Sequence, residues 1–447
     1  MVITIVMYMD NMFSLLDISE VKQPVKADLK SVIPVYSEIL NEGVVREPIV
    51  VEETTNVALK GYETLEALNL LSVEKVPVMK IDRSKVEVRS LHTVSPVRLE
   101  DILIAGLRGP KLPYNSFKIQ IDAQIPALEV SLSDLNVRDI KRSNLRVYYD
   151  TLELLYKDWP TPLVRLRSFS SANRDVWAKL EWANPYSNSI KDRVGWSMMM
   201  AALEDGILGD IIYEATSTNT GIAITAIANL LGKRTKLFLP KTIQRASDFF
   251  LKVLGADVIR LPVGLTVEAI GEVDARSKTD GATHLNQFEN DANLKVHLKY
   301  TAREIDEQLK SVGLKPDCII GGLGTSGHMS AISIYFKSKY GSSVKVISVQ
   351  PAPNEVIPGI RRIETGMKWI HWTEFDQIVD VTRREAIEGV LAVARKEGLI
   401  IGLSAGAVFS AFNRIARDEG VYVLIFPDSG YKYSEQFEEY FRGLGEF

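Results

Sequence analysis

The chain has 447 residues, 46% of them hydrophobic, which is enough for two or three domains with full cores. Acidic residues outnumber basic ones, 57 against 53, and no run of Lys and Arg is long enough to follow a phosphate backbone. The composition therefore argues against nucleic-acid binding. The single cysteine, Cys318, cannot form an intrachain disulfide, which fits a reducing cytoplasm.

The amino-terminal segment, Met1 to Met9, is apolar but too short and too uncharged for a signal peptide. No other stretch reaches the length of a membrane span. From these features we expect a soluble, cytoplasmic protein.

Residues 1 to 115 are predicted to form a small α/β domain with helices at 29–42 and 61–71 and strands at 48–52 and 76–79. Residues 110–150 mix Pro, Asn and Ser with short apolar runs. We expect that segment to connect to, and pack on, a second domain spanning 116–447.

The apolar pattern of residues 48–51, 59–68 and 76–78 resembles the ParB/sulfiredoxin-like fold, which includes ParB amino-terminal domains and free-serine kinases. Where those families carry Asp-Gly-x-His-Arg or a close variant, residues 60–64 read Lys-Gly-Tyr-Glu-Thr, so the nucleotide-handling residues are missing. We therefore expect a non-catalytic role in packing, dimerisation or regulation. An active serine kinase joined to a second enzyme in one chain is the alternative.

From Thr151 onward, short apolar strands alternate with helical segments, which predicts parallel sheets covered on both faces. The strands are predicted at 176–180, 211–214, 236–239, 257–261, 317–320, 344–349 and 421–426.

The segment 181–193 contains Asn-Pro followed by small polar residues, which cannot continue a helix. The resulting turn delivers Lys191 to the start of an apolar helix, 194–200. The N–H groups there disfavour a second positive charge, so they lower the pKa of the amine and suit a nucleophile toward an aldehyde cofactor. A surface lysine paired with Asp192 is the alternative interpretation.

The first of three loops that follow strands runs from Glu214 to Gly221 and leads into the apolar helix 222–231. Ligands bind open α/β sheets at such loops. The five consecutive polar residues 216–220 at a helix N-terminus predict a carboxylate site. Ordinary helix capping would explain two of them.

The second loop, 321–328, is rich in glycine and lets backbone amides surround a phosphate. It lacks the ending of a P-loop and the spacing of a dinucleotide fingerprint, a combination that suits pyridoxal phosphate without a metal. The third loop, 426–433, contains Ser429, whose hydroxyl could meet a pyridine nitrogen and leave the ring neutral. A turn residue that caps the last helix is the alternative for Ser429.

The motifs at 161–163, 184–193, 216–221, 321–328, 402–406 and 427–430 occur in the order found in fold-type II pyridoxal-phosphate enzymes, and residues 151–447 resemble the cysteine synthase and cystathionine β-synthase family. The resemblance implies two α/β/α subdomains of three layers each, a homodimer, and pyridoxal 5′-phosphate as cofactor. It also implies that Lys191 is the catalytic Schiff-base lysine. The implied cofactor contacts are Asn219 at the ring hydroxyl, Gly324, Thr325, Ser326, Gly327 and His328 at the phosphate, and Ser429 at the pyridine nitrogen. The implied substrate contacts are Thr216, Ser217, Thr218, Thr220, Gln287 and Phe288.

Two residues depart from the family pattern: Thr218 replaces a usual Gly, and His328 stands where a Thr commonly binds the phosphate. The segments 286–293, 323–331 and 357–366 look closer to archaeal O-phosphoserine sulfhydrylases, which recognise the substrate phosphate with an Arg that Arg361 matches. A guanidinium binds a phosphate in bidentate fashion. Alternatively, Arg361 and its neighbour pair with carboxylates such as Glu364. Adjacent residues in an extended stretch point to opposite sides, so only one arginine is expected to face the site.

Together these features predict an enzyme that makes L-cysteine from O-phospho-L-serine and sulfide, with Lys191 removing the α-proton. An O-acetylserine sulfhydrylase or a cystathionine β-synthase is the alternative within the family. A different alternative is a degenerate second domain that serves as a scaffold for a nucleotide-binding or nucleic-acid-binding first domain.

Overall fold

The computed structural model describes residues 13–91, 96–137 and 146–445, so the apolar segment Met1 to Met9 lies outside the described residues. The chain divides into two compact units, Met1–Asp139 and Ile140–Phe447, and each is considered by itself. Within the described ranges, no helix has both the length and the apolar character needed to cross a membrane.

The first α-helix of this unit, α1, begins after Asp28, whose side chain accepts a hydrogen bond from the amide of Lys30, and it ends at Gly43, which has a φ of 71°. The helix predicted at 29–42 is confirmed. The elements of the unit are β1 (Phe13–Asp17), α1 (Leu29–Glu42), β2 (Val44–Val45), β3 (Ile49–Glu52), β4 (Ala58–Lys60), α2 (Tyr62–Leu70), β5 (Lys75–Ile81), β6 (Val86–Ser90), α3 (Leu99–Leu107), β7 (Phe117–Ile121) and β8 (Val130–Ser131).

The main sheet of the first unit has the strand order β1-β5-β3-β4, with β3 and β5 parallel and the other pairs antiparallel. All four residues of β3 are buried, because the strand lies inside the sheet. Gly61 adopts a φ of 81° directly before α2, within the segment 60–64. In the same segment, Glu63 accepts a hydrogen bond from the hydroxyl of Tyr114.

The segment after residue 115 belongs to the first unit rather than to a connector on the second. β7 pairs with β6, and β8 pairs with β2, both in antiparallel fashion. These backbone hydrogen bonds join residues 117–121 and 130–131 to the first unit, Met1–Asp139.

The second unit contains two sheets, and its elements follow in chain order. They are α4 (Thr151–Lys157), β9 (Leu163–Arg165), β10 (Arg174–Leu180), α5 (Lys191–Glu204), β11 (Ile211–Ala215), α6 (Asn219–Leu230), β12 (Arg234–Pro240), α7 (Ala246–Val253), β13 (Asp257–Leu261), α8 (Ile270–Asp280), β14 (Thr283–His284), α9 (Ala292–Val296), α10 (Ala302–Ser311), β15 (Cys318–Gly322), α11 (Gly327–Tyr340), β16 (Lys345–Pro351), β17 (Gln377–Val381), α12 (Arg383–Glu397), α13 (Leu403–Ile415), β18 (Gly420–Phe426) and α14 (Ser434–Gly443).

The smaller sheet has the order β13-β12-β11-β14 and is entirely parallel, whereas the larger has the order β17-β16-β15-β18-β10-β9 with only β9 antiparallel. All seven predicted strands of this unit are present. Strands β9, β14 and β17 were not predicted, because they are short or lie at sheet edges.

Four loops at the carboxyl ends of strands face one another and define a site. They follow β10, β11, β15 and β18, and three of them lead into the first residues of α5, α6 and α11. The free N–H groups of these helix starts therefore point toward the region that the sheets leave open.

Candidate active site

A pocket lies among these loops, and most of the predicted site residues line it. The cofactor and substrate residues at its wall are Lys191, Asn219, Gly324, Thr325, Ser217, Thr220, Gln287, Phe288 and Arg361. Six other predicted residues are not part of the wall, namely Thr216, Thr218, Ser326, Gly327, His328 and Ser429.

Lys191 is the first residue of α5 and lines the pocket. Its neighbour Asp192 accepts hydrogen bonds from the amides of Tyr186 (2.7 Å) and Ser187 (2.8 Å) and so stabilises the turn instead of pairing with the lysine. Burial lowers the pKa of Lys191 to about 8, although the negative charges of Asp428 and Glu181 act in the opposite direction. About a tenth of the amine is therefore neutral and nucleophilic at pH 7, far more than for an exposed lysine.

Beneath Lys191 lies a cluster of four fully buried charges, which we call the buried ion network: Lys179, Glu181, Arg193 and Glu304. Arg193 donates to Glu181 through Nε and to Glu304 through Nη1, each at 2.7 Å. Lys179 donates to Glu304, also at 2.7 Å. Burial would raise the pKa of Glu304, but the two cations hold it below its usual value. The network joins β10, α5 and α10 and fixes the direction in which α5 starts.

The predicted carboxylate loop divides into residues that face the pocket and residues that brace the loop. Ser217 and Thr220 line the wall. The hydroxyl of Thr216 accepts hydrogen bonds from the amides of Thr218 (3.2 Å) and Gly221 (3.0 Å). Thr218 has a φ of 154° and donates to the hydroxyl of Ser247 on α7 at 2.6 Å. Thr216 and Thr218 therefore stabilise the conformation of the loop and do not line the pocket.

The glycine-rich loop approaches other backbone and side-chain atoms too closely for larger residues. A Cβ on Gly324 would lie 2.7 Å from the carbonyl oxygen of Gly359, and one on Gly327 would lie 2.3 Å from Oδ1 of Asn293. Ser326 adopts a φ of 71° and precedes the first residue of α11. Its Oγ is buried without a hydrogen-bond partner among the described residues.

His328 lies in the first turn of α11 and is buried, and its Nε2 has no hydrogen-bond partner within the described residues. Burial lowers the pKa of His328 to about 3, and the charge of Lys191 acts in the same direction. The ring of His297 lies 5.9 Å away in an edge-on arrangement. His297 begins a single π-helical turn, His297–Thr301, between α9 and α10. His328 is thus a neutral imidazole with one ring nitrogen free for a ligand.

The wall formed by the end of β18 holds Asn219 in a fixed orientation. Asn219 donates through Nδ2 to Asp428 at 2.8 Å and accepts at Oδ1 from Lys432 at 2.6 Å. The Tyr433 hydroxyl donates to the same Oδ2 of Asp428 at 2.6 Å. These contacts assign the amide oxygen and nitrogen of Asn219.

Ser404 and Asp428 are among the pocket-lining residues that the sequence analysis did not name as site residues. Ser404 is buried in the first turn of α13, within the motif 402–406. Ser429 lies outside the wall, and its backbone pairs with Ile401. Since consecutive residues at a strand end point to opposite sides, Asp428 rather than Ser429 faces the pocket. Ser404 could have been found from the sequence, because it is a hydroxyl residue in the first turn of a helix that begins directly after Gly402.

Arg361 and Arg362 have different surroundings. Arg362 forms ion pairs with Asp380 (3.1 Å) and Glu364 (2.9 Å) and lies outside the pocket wall. Arg361 lines the pocket, donates to the carbonyl of Gly324 through Nε at 2.8 Å, and has no carboxylate within 4 Å among the described residues. Burial lowers the pKa of Arg361 to about 10, so it stays charged at neutral pH.

The residues present fit pyridoxal phosphate. Two unpartnered buried polar atoms, Ser326 Oγ and His328 Nε2, lie at the N-terminus of α11 and can meet a phosphate. Glycines leave room for backbone amides in the same loop. Lys191 has a side chain free to bind the aldehyde, because its Nζ forms no ion pair in the described part of the chain.

Comparison with known proteins agrees with this fit. A family model described as "Pyridoxal-phosphate dependent enzyme" matches residues 154–428, which is more than half of the chain, and the protein therefore belongs to that family. It is cysteine synthase-like within the family: it is 30% identical over 289 residues to the cysteine synthase of Staphylococcus aureus (strain Mu50 / ATCC 700699), covering 61% of this chain and 92% of the relative. It is an α/β enzyme of fold type II, and its cofactor is pyridoxal 5′-phosphate.

Two solved structures are similar to about two thirds of the chain. The structure of O-ureido-L-serine synthase matches with a TM-score of 0.60 and 25% identity, covering 67% of this chain and 97% of that one. The structure of a hydrogen sulfide-producing enzyme from Fusobacterium nucleatum matches with a TM-score of 0.58 and 28% identity, covering 64% of this chain and 100% of that one. These relatives differ in what their names say they make.

Proposed function

We propose that the protein is an O-phosphoserine sulfhydrylase, which makes L-cysteine from O-phospho-L-serine and sulfide. The observation that carries this proposal is the guanidinium of Arg361, which lies in the same pocket as Lys191 and has no carboxylate partner among the described residues; it donates to the carbonyl of Gly324 and to the hydroxyl of Thr365. A partly buried cation of this kind suits a ligand group with a double negative charge, and a phosphate supplies one where an acetyl ester does not.

Each group of the substrate has a partner in the chain. Ser217, Thr220 and the N-terminus of α6 bind the carboxylate, next to Gln287. Lys191 accepts the proton from the α-carbon as general base. Arg361 binds the phosphate and stabilises its charge as the bond to the β-carbon breaks and sulfide adds at that carbon. The bound cofactor supplies the electron sink for the negative charge at the α-carbon.

The contacts proposed for the cofactor differ from the sequence-based expectation at one residue. Residues 324–328 hold the phosphate, with His328 donating from a neutral ring, and Asn219 meets the ring hydroxyl. Ser404 is the proposed partner of the pyridine nitrogen in place of Ser429, because it lines the same pocket as Lys191 and Asn219, the other two residues proposed to contact the ring. A hydroxyl at that position leaves the nitrogen without a full charge, which favours elimination at the β-carbon.

The test compares O-phosphoserine with O-acetylserine as substrate for wild type, Arg361→Ala and the matched control Arg362→Ala. We expect Arg361→Ala to lower kcat/KM for phosphoserine about a hundredfold, the loss of a buried charge-assisted contact of about 3 kcal/mol. Activity on acetylserine should change less than threefold, and Arg362→Ala should behave as wild type. An equal effect on both substrates, or none, would move the assignment to the acetylserine or cystathionine branch.

The first unit is proposed to have a ParB/sulfiredoxin-like fold without catalytic activity, and the enzyme is proposed to be a cytoplasmic homodimer. The position of the missing nucleotide motif supports the first proposal, since residues 60–64 there read Lys-Gly-Tyr-Glu-Thr. Incubation with serine and ADP or ATP should yield no phosphoserine. Its formation would support the bifunctional alternative.

A further inference from the structure

Glu214 is a buried carboxyl group without a countercharge. It lies on β11, two residues before Thr216, and its side chain is fully buried. Oε1 accepts a hydrogen bond from the backbone amide of Gln287 at 3.1 Å. Oε2 has no hydrogen-bond partner, and no Lys, Arg or His lies within 4 Å, among the residues that the structure describes.

The charged groups on the elements around β11 are engaged elsewhere. Helix α6 contains no titratable residue. The titratable side chains on the other neighbouring elements have partners of their own. Tyr213 contacts Asp280, Lys236 on β12 contacts Asp257 and Asp280, His284 on β14 contacts Asp274, and Glu268 accepts from the amides of Gly264 and Leu265. On α8, the ion pairs are Glu272–Arg276 and Asp274–Lys278. None of these charges has an ion pair with Glu214.

An ionised carboxylate in such a place would lose its hydration and gain a few hydrogen bonds but no countercharge among the described residues, so the neutral form is favoured. Burial raises the pKa of Glu214 to about 8, and the hydrogen bonds from the Gln287 and Asn286 backbone limit the rise. The carboxyl group therefore keeps its proton at neutral pH and loses it in mildly alkaline solution.

Gln287 connects Glu214 to the carboxylate site. Its Nε2 donates to the carbonyl of Ala215 at 2.9 Å, and its Oε1 accepts from the hydroxyl of Thr220 at 2.7 Å. Its carbonyl accepts from Asn293 at 2.8 Å. Gln287 and Thr220 both line the pocket. Glu214 is therefore hydrogen-bonded to Gln287, which together with Thr220 lines the pocket where the substrate carboxylate is proposed to bind.

We propose that Glu214 is a positioning residue whose protonated state strengthens binding of the substrate carboxylate. In the neutral state it anchors the backbone of Gln287 behind the carboxylate loop. In the ionised state, the negative charge of Glu214 lies behind Gln287 and repels the carboxylate of the substrate. The inference rests on the proposed carboxylate site and is independent of which group leaves.

The test measures binding of L-alanine, which has no leaving group, to the holoenzyme from pH 7 to pH 9.5 by the change in cofactor absorbance. Wild type is compared with Glu214→Gln, which is neutral at every pH, and each affinity is expressed as the ratio of wild type to variant, so that titration of the ligand amine cancels. We expect the ratio for L-alanine to fall about tenfold, with a midpoint near pH 8. The ratio for L-alaninamide, which lacks the carboxylate, should stay constant.

A ratio for L-alanine that does not change with pH, or an equal fall for L-alaninamide, would overturn the inference. Absence of L-alanine binding to wild type even at pH 7 would instead overturn the proposed carboxylate site. Glu214→Met serves as a second neutral variant if Glu214→Gln does not fold. Infrared spectra need no variant: a protonated carboxyl band in wild type at pH 7 that weakens by pH 9.5 and responds to L-alanine is expected, and its absence would contradict the protonated state.

Discussion

The buried ion network and the pocket differ in whether their polar groups have hydrogen-bond partners. In the network, Lys179, Glu181, Arg193 and Glu304 are fully buried, and each forms hydrogen-bonded ion pairs. In and around the pocket, the polar atoms without partners include Ser326 Oγ, His328 Nε2, Asp428 Oδ1 and Glu214 Oε2 in the described part of the chain. Arg193 follows Glu181 by only twelve positions in the chain, and Lys191 lies between them.

The difference shows where this unit gains stability and where it keeps binding capacity. A paired buried charge that loses its partner is costly, so the network resists change. An unpaired buried polar group is costly in the folded protein and is retained where a ligand can satisfy it. Substitutions in the network should therefore act on folding, and substitutions in the pocket should act on binding and catalysis.

The largest expected effect is on activity, from Lys191→Ala. Without the amine, the general base and the covalent attachment of the cofactor are both lost, and turnover should fall on the order of 10³-fold or more. The cofactor should also be removed by dialysis, unlike in wild type. The midpoint of urea unfolding of the apo-protein should stay the same or rise, because a desolvated lysine has been removed.

Lys432→Met is the matched control for that variant, since burial also lowers the pKa of Lys432 at the edge of the same site. Its ammonium group holds the Oδ1 of Asn219, so we expect a loss of roughly tenfold, consistent with one hydrogen bond. Equal losses in the two variants would show that Lys191 has no special chemical role.

Arg193→Met should have the largest effect on stability. It leaves Glu181 without its cation and Glu304 with only Lys179, so the free energy of unfolding should fall by about 3–5 kcal/mol. All six tryptophans of the chain lie in the second unit, so their fluorescence during urea unfolding reports on that unit alone. A loss below about 1 kcal/mol would mean that the network is not a major source of stability.

Much of the fold could be predicted from the sequence, because the central strands of parallel sheets are continuous apolar runs and their loops carry dense polar motifs. Strands such as β13 (Asp257–Leu261) have the predicted bounds, and the motif at 184–193 leads to Lys191 at the start of α5 as expected. The edge strands could not be predicted in this way. Strand β14 has two residues, too few for a pattern.

Which residue of a motif faces the pocket was harder to predict. The position of Ser429 after a strand suggested a ring contact, yet the side chain that lines the pocket there is Asp428. Likewise, the local sequence around Glu214 does not reveal that its carboxyl group lies without a cation within 4 Å among the described residues. Such facts depend on contacts between segments far apart in the chain, as Glu214 with Gln287.

Comparison of Ser404→Ala with Ser429→Ala tests the reassignment of the ring contact. The first removes a hydroxyl from the pocket wall and should lower turnover or cofactor affinity roughly tenfold, as expected for one lost hydrogen bond in a buried site. The second removes a hydroxyl outside the wall and should change either quantity less than twofold. The reverse order of effects would restore the assignment to Ser429.

The smallest expected effect is a shift in the pH dependence of cofactor capture by the apo-protein. Capture requires the neutral amine of Lys191, so its rate should rise with pH and reach half its maximum near pH 8, well below the range of an exposed lysine. Since the charge of Asp428 raises the pKa of Lys191, Asp428→Asn should move the midpoint to lower pH by less than about one unit. Stopped-flow measurement between pH 6.5 and 10 would check both midpoints; one near pH 10 in wild type, or an upward shift in the variant, would contradict the idea that the pocket keeps its lysine unpaired and desolvated.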